Sequence, residues 1–269
     1  MKRIYISGSN GFIGSFLRDK FLNNGYEVIK ENYRLEEIKN LRDYSIDTII
    51  HCAAKVSTNY CNANPNEASM TNVYGTWNIA SRAKFLGAKF VYISTIAIYD
   101  YNQVINYITE DSKIKPHTWY GMTKYLGEKI SESIFEDQFL NLRLGFIFGP
   151  PEKDKYSFIS GLLNKREVPL VGNYFKDYLY IDDCIEAVHR LIDKDKKGIF
   201  NLGSGCNYST KKILQELGFS DFKFDNEKDY FKSFIVDSKK LQTEIEWIPQ
   251  VNFWDKLKEL KEEVEKCHQ

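Results

Sequence analysis

The chain has no net charge: 37 Lys and Arg residues are balanced by 37 Asp and Glu. Nothing in its overall electrostatics therefore draws it to nucleic acid or to an anionic membrane surface. It also lacks a Cys-x-x-Cys pair. Its five cysteines, Cys52, Cys61, Cys184, Cys206 and Cys267, are odd in number and scattered, which argues against a disulfide frame or a zinc site and for reduced thiols in the cytoplasm. Long apolar runs are missing too. Stretches such as Thr48-Ile49-Ile50 are far too short to span a bilayer, and the first residues lead directly into a strand-like segment with no room for a signal peptide. Neither an internal repeat nor a low-complexity segment is evident. The expectation is a soluble cytoplasmic protein without a metal, whose 269 residues suffice for one large domain or one and a half.

What is present begins at the amino end. Arg3-Ile4-Tyr5-Ile6 is a short β-branched and aromatic run, followed by Ser7-Gly8-Ser9-Asn10-Gly11-Phe12-Ile13-Gly14 and a helical pattern to Leu22. Strand, glycine-rich turn and helix follow in that order. With Gly8, Gly11 and Gly14 lacking side chains, the backbone around Asn10, Phe12 and Ile13 can approach a pyrophosphate at the positive end of the helix. A glycine triad also suits a tight turn, but its position between strand and helix favours dinucleotide binding. The second strand, Tyr26 to Lys30, predicts where the adenosine ribose would lie. An acid there suits the 2′-hydroxyl of NAD and a base the 2′-phosphate of NADP. Asn32 stands where the acid is expected and Arg34 is close enough to pair with a phosphate, so the cofactor is read as NAD or NADP with a lean to NADP.

Further strands alternate with helices. Asp47 to Ala54 reads as a buried strand ending in the small residues Ala53 and Ala54, a long helical stretch runs from Pro65 to Leu86, and Lys89 to Ser94 is the fourth strand. His51 reads as a packed strand-end residue. This alternation predicts a parallel sheet covered on both faces. Ser94 and Thr95 end the fourth strand, on the side where open parallel sheets bind ligands. Tyr120 and Lys124 stand at i and i+4, on one face of a helix. A tyrosine titrates near 10 in water, so a neighbouring ammonium is expected to favour its phenolate.

Taken together these segments resemble the extended short-chain dehydrogenase/reductases, in particular the NAD-dependent epimerase/dehydratase family that acts on nucleotide sugars. The glycine loop, His51-Cys52-Ala53-Ala54, Asn72-Val73-Tyr74-Gly75-Thr76, Ser94-Thr95 with Ile98-Tyr99, and Tyr120 with Lys124 match its motifs in order. Arg143 to Pro150, Asp177 to Asp183, Asn201 to Gly205, Asp237 to Leu241 and Trp247-Ile248-Pro249 continue the likeness. The resemblance implies a Rossmann-type doubly wound parallel α/β sheet over residues 1–150, with a small substrate-binding lobe over 151–269 interleaved with the last sheet strands. It also implies that Thr95, Tyr120 and Lys124 are catalytic. Tyr120 and Lys124 also hold the cofactor, with backbone near Ile147 on the carboxamide, and Ser94, Thr95, Phe146 and Lys176 contact substrate. Two departures bear on the substrate: Phe146 replaces a usual asparagine, and Lys176 a usual arginine, losing the bidentate fork.

Absences narrow the reaction that the resemblance implies. Dehydratases of the family carry Asp-Glu after the threonine, where this chain has Ile96 and Ala97. Ala97 also replaces the cysteine of the GDP-fucose synthase type. A 4-ketoreductase or a 4-epimerase remains, and the short Asn32 to Ile46 connection is similar to the reductases. A non-catalytic dinucleotide sensor is the contrasting class, disfavoured because Thr95, Tyr120 and Lys124 are all retained. Relatives also imply a homodimer through the helices that follow Pro65 and carry Tyr120, with Trp77, Phe85, Tyr125 and Ile134 either supplying apolar contacts there or facing the subunit's own sheet.

Overall fold

Alternating short apolar strands and helices are what the chain forms. The computed structural model describes residues 1–29, 33–35, 37–41, 45–100, 107–151, 157–164, 174–219, 222 and 235–267. Asn32, read as a ribose contact, and the strand expected near Val168 to Val171 lie outside the described residues. In chain order the elements are β1 (Arg3–Ser7), α1 (Phe12–Asn23), β2 (Glu27–Val28), β3 (Thr48–His51), α2 (Thr58–Ala63), α3 (Pro65–Ser69), α4 (Gly75–Leu86), β4 (Lys89–Thr95), β5 (Tyr107–Ile108), α5 (Trp119–Phe135) and β6 (Leu140–Leu144). There follow β7 (Phe146–Phe148), α6 (Phe158–Leu163), β8 (Phe175–Lys176), β9 (Tyr178–Tyr180), α7 (Ile181–Asp193), β10 (Gly198–Leu202), β11 (Tyr208–Ser209), α8 (Thr210–Glu216), β12 (Ile235–Val236), α9 (Lys239–Ile245) and α10 (Phe253–Cys267).

The main sheet has six strands in the order β10-β6-β4-β3-β1-β2. From β2 to β6 neighbouring strands run parallel. From β1 the chain goes first to β2 on one side and then to β3 on the other, which opens a crevice beyond the carboxyl ends of β1 and β3. Helices α4 and α5 cover one face, where Tyr5, Ile49, Ile79, Ala83, Phe90, Tyr92 and Phe135 form a buried cluster. Phe90 and Phe135 stack in it at 5.3 Å between centroids. Each large apolar side chain buried here contributes roughly 1.5 to 3 kcal/mol.

The long helix expected from Pro65 to Leu86 is present but not uniform. Met70–Tyr74 forms a π-helical turn between α3 and α4. One extra residue in a turn redirects side chains and is common at functional sites, and here it buries Asn72.

A single boundary at residue 150 is not what the contacts give. One compact unit comprises Met1–Tyr99, Lys113–Leu144 and Ile185–Phe200, and a second comprises Asp100–Ser112, Gly145–Cys184 and Asn201–Gln269. The difference has a topological cause: after β7 to β9 the chain returns through α7 to add β10 to the main sheet. In the second unit β7 pairs with β9, β8 with β11 and β5 with β12. No helix among the described residues is long and apolar enough to cross a membrane.

Candidate active site

The glycine loop is built for close backbone approach. Gly8 has φ +73°, and a Cβ there would sit 2.8 Å from the Ala53 nitrogen; a Cβ on Gly14 would sit 2.2 Å from the Gly8 carbonyl oxygen. The Gly11 N–H donates to that same carbonyl at 2.9 Å. Helix α1 has no side-chain cap, so its first N–H groups, on Phe12, Ile13 and Gly14, point into the crevice with the positive end of the helix dipole. These features fit a dinucleotide pyrophosphate. Asn10 is exposed at the loop's edge, and Ala53 and Ala54 are half-buried beyond β3. Arg34 is exposed past β2.

Helix α5 starts where Thr118 caps the Gly121 N–H at 3.1 Å. It then lies unusually close to β4, since a Cβ on Gly127 would fall 2.0 Å from the Tyr92 hydroxyl and one on Gly121 2.4 Å from the Ala97 carbonyl. That proximity brings Tyr120 to the end of β4, where its phenol is hydrogen-bonded to the Thr95 hydroxyl. Thr95 also accepts from the Ala97 N–H at 3.2 Å.

Electrostatically the pair differs from the expectation. Burial pushes the Tyr120 phenol up to about 12, with the Thr95 hydrogen bond opposing that rise. Lys124 does not lower it. Its ammonium lies 4.0 Å from the Tyr92 ring centroid, only 3% of the residue is exposed, and burial pushes its own value down to about 7. Desolvation disfavours both charged forms.

Below these residues are two buried polar networks that motif reading did not assign. In the first, the Thr76 hydroxyl donates to the Asn72 carbonyl at 2.6 Å, so His51 Nε2–H donates to Thr76 at 3.0 Å and Nδ1 accepts from the Ser7 hydroxyl at 2.6 Å. Burial, and then the Lys124 charge, keep His51 well below its usual value and neutral, a packed strand-end residue as its position suggested. Asn72 ties three segments together: it accepts from the Lys55 N–H at 2.7 Å and donates to the Lys55 carbonyl at 2.9 Å and to Thr123 at 3.0 Å.

In the second network, Ser94 is buried and donates to Glu128 instead of facing the crevice. Arg143 donates to Glu128 through Nε at 3.0 Å and Nη2 at 2.8 Å, and through Nη1 to the Tyr99 hydroxyl at 2.7 Å. One signal for it was legible: Glu128 is four residues past Lys124, on the same helix face.

The remaining expected residues belong to the second unit. Phe146 and Ile147 lie on β7, opposite Tyr178 and Leu179 of β9. The Lys176 ammonium is surrounded by the rings of Phe146 at 4.6 Å, Tyr174 at 4.9 Å and Phe158 at 6.0 Å, and burial pushes it down to about 8. The adjacent Asp177 does not pair with it. Its carboxylate accepts from the backbone N–H groups of Ser204, Gly205 and Val236 at 2.6, 3.0 and 2.9 Å. Among the described residues no group of three His, Cys, Asp or Glu side chains could hold a metal ion.

Comparison with known proteins agrees with this geometry. The model of the NAD dependent epimerase/dehydratase family matches residues 4–203. An uncharacterized protein of Methanocaldococcus jannaschii is 30% identical over 76% of this chain and 76% of its own. A putative UDP-glucose 4-epimerase of the same organism is 26% identical over 95% of this chain and 96% of its own. The crystal structure of UDP-glucose 4-epimerase with UDP-glucose, from Thermotoga maritima, superposes with a TM-score of 0.84 at 25% identity, covering 99% of this chain and 100% of that one.

Proposed function

This chain belongs to the NAD dependent epimerase/dehydratase family, and from that premise we propose that it is an NAD(P)-dependent enzyme that reduces the 4-keto group of a nucleotide-activated sugar. The observation that carries the reading is the Tyr120 phenol, pushed up to about 12 and hydrogen-bonded to Thr95. It keeps its proton throughout the neutral range, as a donor to a developing alkoxide must. A reduced nicotinamide, when bound, supplies the hydride. Thr95 fixes the carbonyl oxygen beside the phenol, Tyr120 gives that oxygen its proton and regains one from solvent, and Lys124 holds the nicotinamide ribose and, when protonated, sets a positive charge one helical turn from the phenolate. The ketone becomes a secondary alcohol, and one reduced cofactor is consumed.

The aromatic-lined Lys176 supports recognition of an anionic substrate, such as a nucleotide diphosphate. Its ammonium has no ion pair among the described residues, and Phe146 closes one wall where a polar residue is usual. Arg34 supports NADP over NAD. If it binds the 2′-phosphate, Arg34→Glu weakens NADP selectively by on the order of 1.5 to 3 kcal/mol, measured by titrating both cofactors. Equal losses for the two would reduce Arg34 to a surface residue.

A second reading, 4-epimerisation, is favoured by the full-length similarity to a putative UDP-glucose 4-epimerase. Stoichiometry separates the two. A reductase consumes one reduced cofactor per product, whereas an epimerase interconverts sugars with catalytic cofactor and no net change in nicotinamide absorbance. We also propose a homodimer. On α4, Trp77 and Phe85 are 49% and 63% exposed, beside Tyr74 at 47%, an apolar stripe that a second copy would cover. Light scattering at micromolar concentration should give twice the chain mass, and a monomeric mass would refute this.

A further inference from the structure

The ion pair between Glu128 and Arg143 has no part in the chemistry described so far, yet both residues are almost entirely buried, at 0% and 3% exposure. Ser94 and Arg143 are register partners across β4 and β6, so their side chains rise from one face of the sheet against α5, and both donate to the Glu128 carboxylate. Glu128 lies one turn beyond Lys124 on the inward face of α5.

Groups from several elements surround the Lys124 ammonium. From β3 and its end come His51, neutral, and Cys52, whose thiol burial pushes up to about 12 and which is therefore uncharged near neutrality. From β4 comes Tyr92, raised by burial, with its ring against the ammonium and its hydroxyl donating to the Lys124 carbonyl at 3.4 Å. Tyr120, on α5 itself, is raised as well. The π turn contributes the uncharged Asn72 and α4 the uncharged Thr76. Arg143, from β6, is bound to Glu128. Cys52 and then Glu128 oppose the effect of burial on Lys124; with the Cys52 thiol un-ionised near neutrality, Glu128 is the negative charge that remains. A carboxylate this deep stays ionised only beside a cation, which is what Arg143 provides.

We propose that Glu128, kept ionised by Arg143, is a positioning residue that holds Lys124 as an ammonium and, through Ser94, fixes the strand end bearing Thr95. The inference rests on the reading of Lys124 as a charged partner of Tyr120, and its test does not depend on turnover. Carbon-13 NMR of the lysine Cε groups in the intact protein, with the Lys124 signal assigned by its absence in Lys124→Arg, follows the ammonium directly. In the unsubstituted protein it should titrate near 7. In Glu128→Gln the midpoint should fall by on the order of one pH unit. In Arg143→Met, where the buried carboxylate loses the cation that keeps it ionised, the midpoint should fall as well. A merely structural pair would leave both midpoints in place, and that result overturns the proposal. If a single variant does not fold, Glu128→Gln with Arg143→Met removes both charges together and leaves neither buried alone. The midpoint should again fall, and an unchanged midpoint would refute the role. The alkaline limb of kcat/KM should follow the same shifts. Loss of turnover in Tyr120→Phe tests the underlying reaction separately.

Discussion

Tyr120→Phe should lower turnover by about 100- to 10,000-fold, the usual contribution of a positioned acid or base, while cofactor affinity stays nearly unchanged. The variant retains the ring and its packing on α5 and loses only the oxygen that bonds to Thr95. Removing a buried hydroxyl that burial holds un-ionised creates no new buried charge, so the thermal midpoint should move little. The measurement is steady-state turnover on a nucleotide-sugar panel, alongside cofactor titration. Full activity in Tyr120→Phe would exclude reductase and epimerase together, because both route the proton through this phenol. A parallel loss of cofactor binding would mean that the change acted through the fold.

Gly14→Ala should have the second large effect, on the cofactor instead of the proton. The added methyl would sit 2.2 Å from the Gly8 carbonyl oxygen, 2.8 Å from its carbon and 3.0 Å from the Ser9 Cα. All three are backbone atoms, with no flexible side chain to give way. The loop must lift off α1, and the N–H groups of the first helical turn no longer converge with the Gly8 turn on one anion. Overpacking of this kind costs roughly 1 to 3 kcal/mol, so we expect a lower melting temperature and at least a tenfold weaker dinucleotide affinity, read by calorimetry and fluorescence titration. Wild-type affinity in Gly14→Ala would show that the dinucleotide does not lie against this turn.

Much of this was legible because the informative residues sit where local rules are strong. The glycine turn after β1 and the Tyr120 and Lys124 pair on α5 are short-range patterns, and a strand-turn-helix or an i, i+4 spacing survives without knowledge of tertiary contacts. Neither buried network is local. Ser94, Glu128 and Arg143 converge from β4, α5 and β6 through strand register and helix approach, quantities that no single segment encodes. The same reason accounts for Tyr120. Spacing places an ammonium one turn away, but burial decides its charge, and the close approach of α5 to Tyr92 through Gly127 directs that ammonium to the ring. The π turn at Met70–Tyr74 was hidden as well, because a periodicity read over twenty residues averages out a single inserted one.

The route of the chain between its two units bears on how it is made. Strand β10, an edge of the main sheet, follows the segment that forms β7 to β9, and β5 finds its partner β12 only near the carboxyl end. A polypeptide emerging from the ribosome therefore completes β1 to β6 early but leaves β6 with an open edge until β10 is synthesised, and β5 unpaired for longer still. Exposed edges are where strands of other molecules add, and contacts this distant in sequence are slow to close. The enzyme should thus be most vulnerable to misassembly late in its own translation, and a chain cut near residue 150 would expose the edge that the cofactor-binding sheet normally conceals.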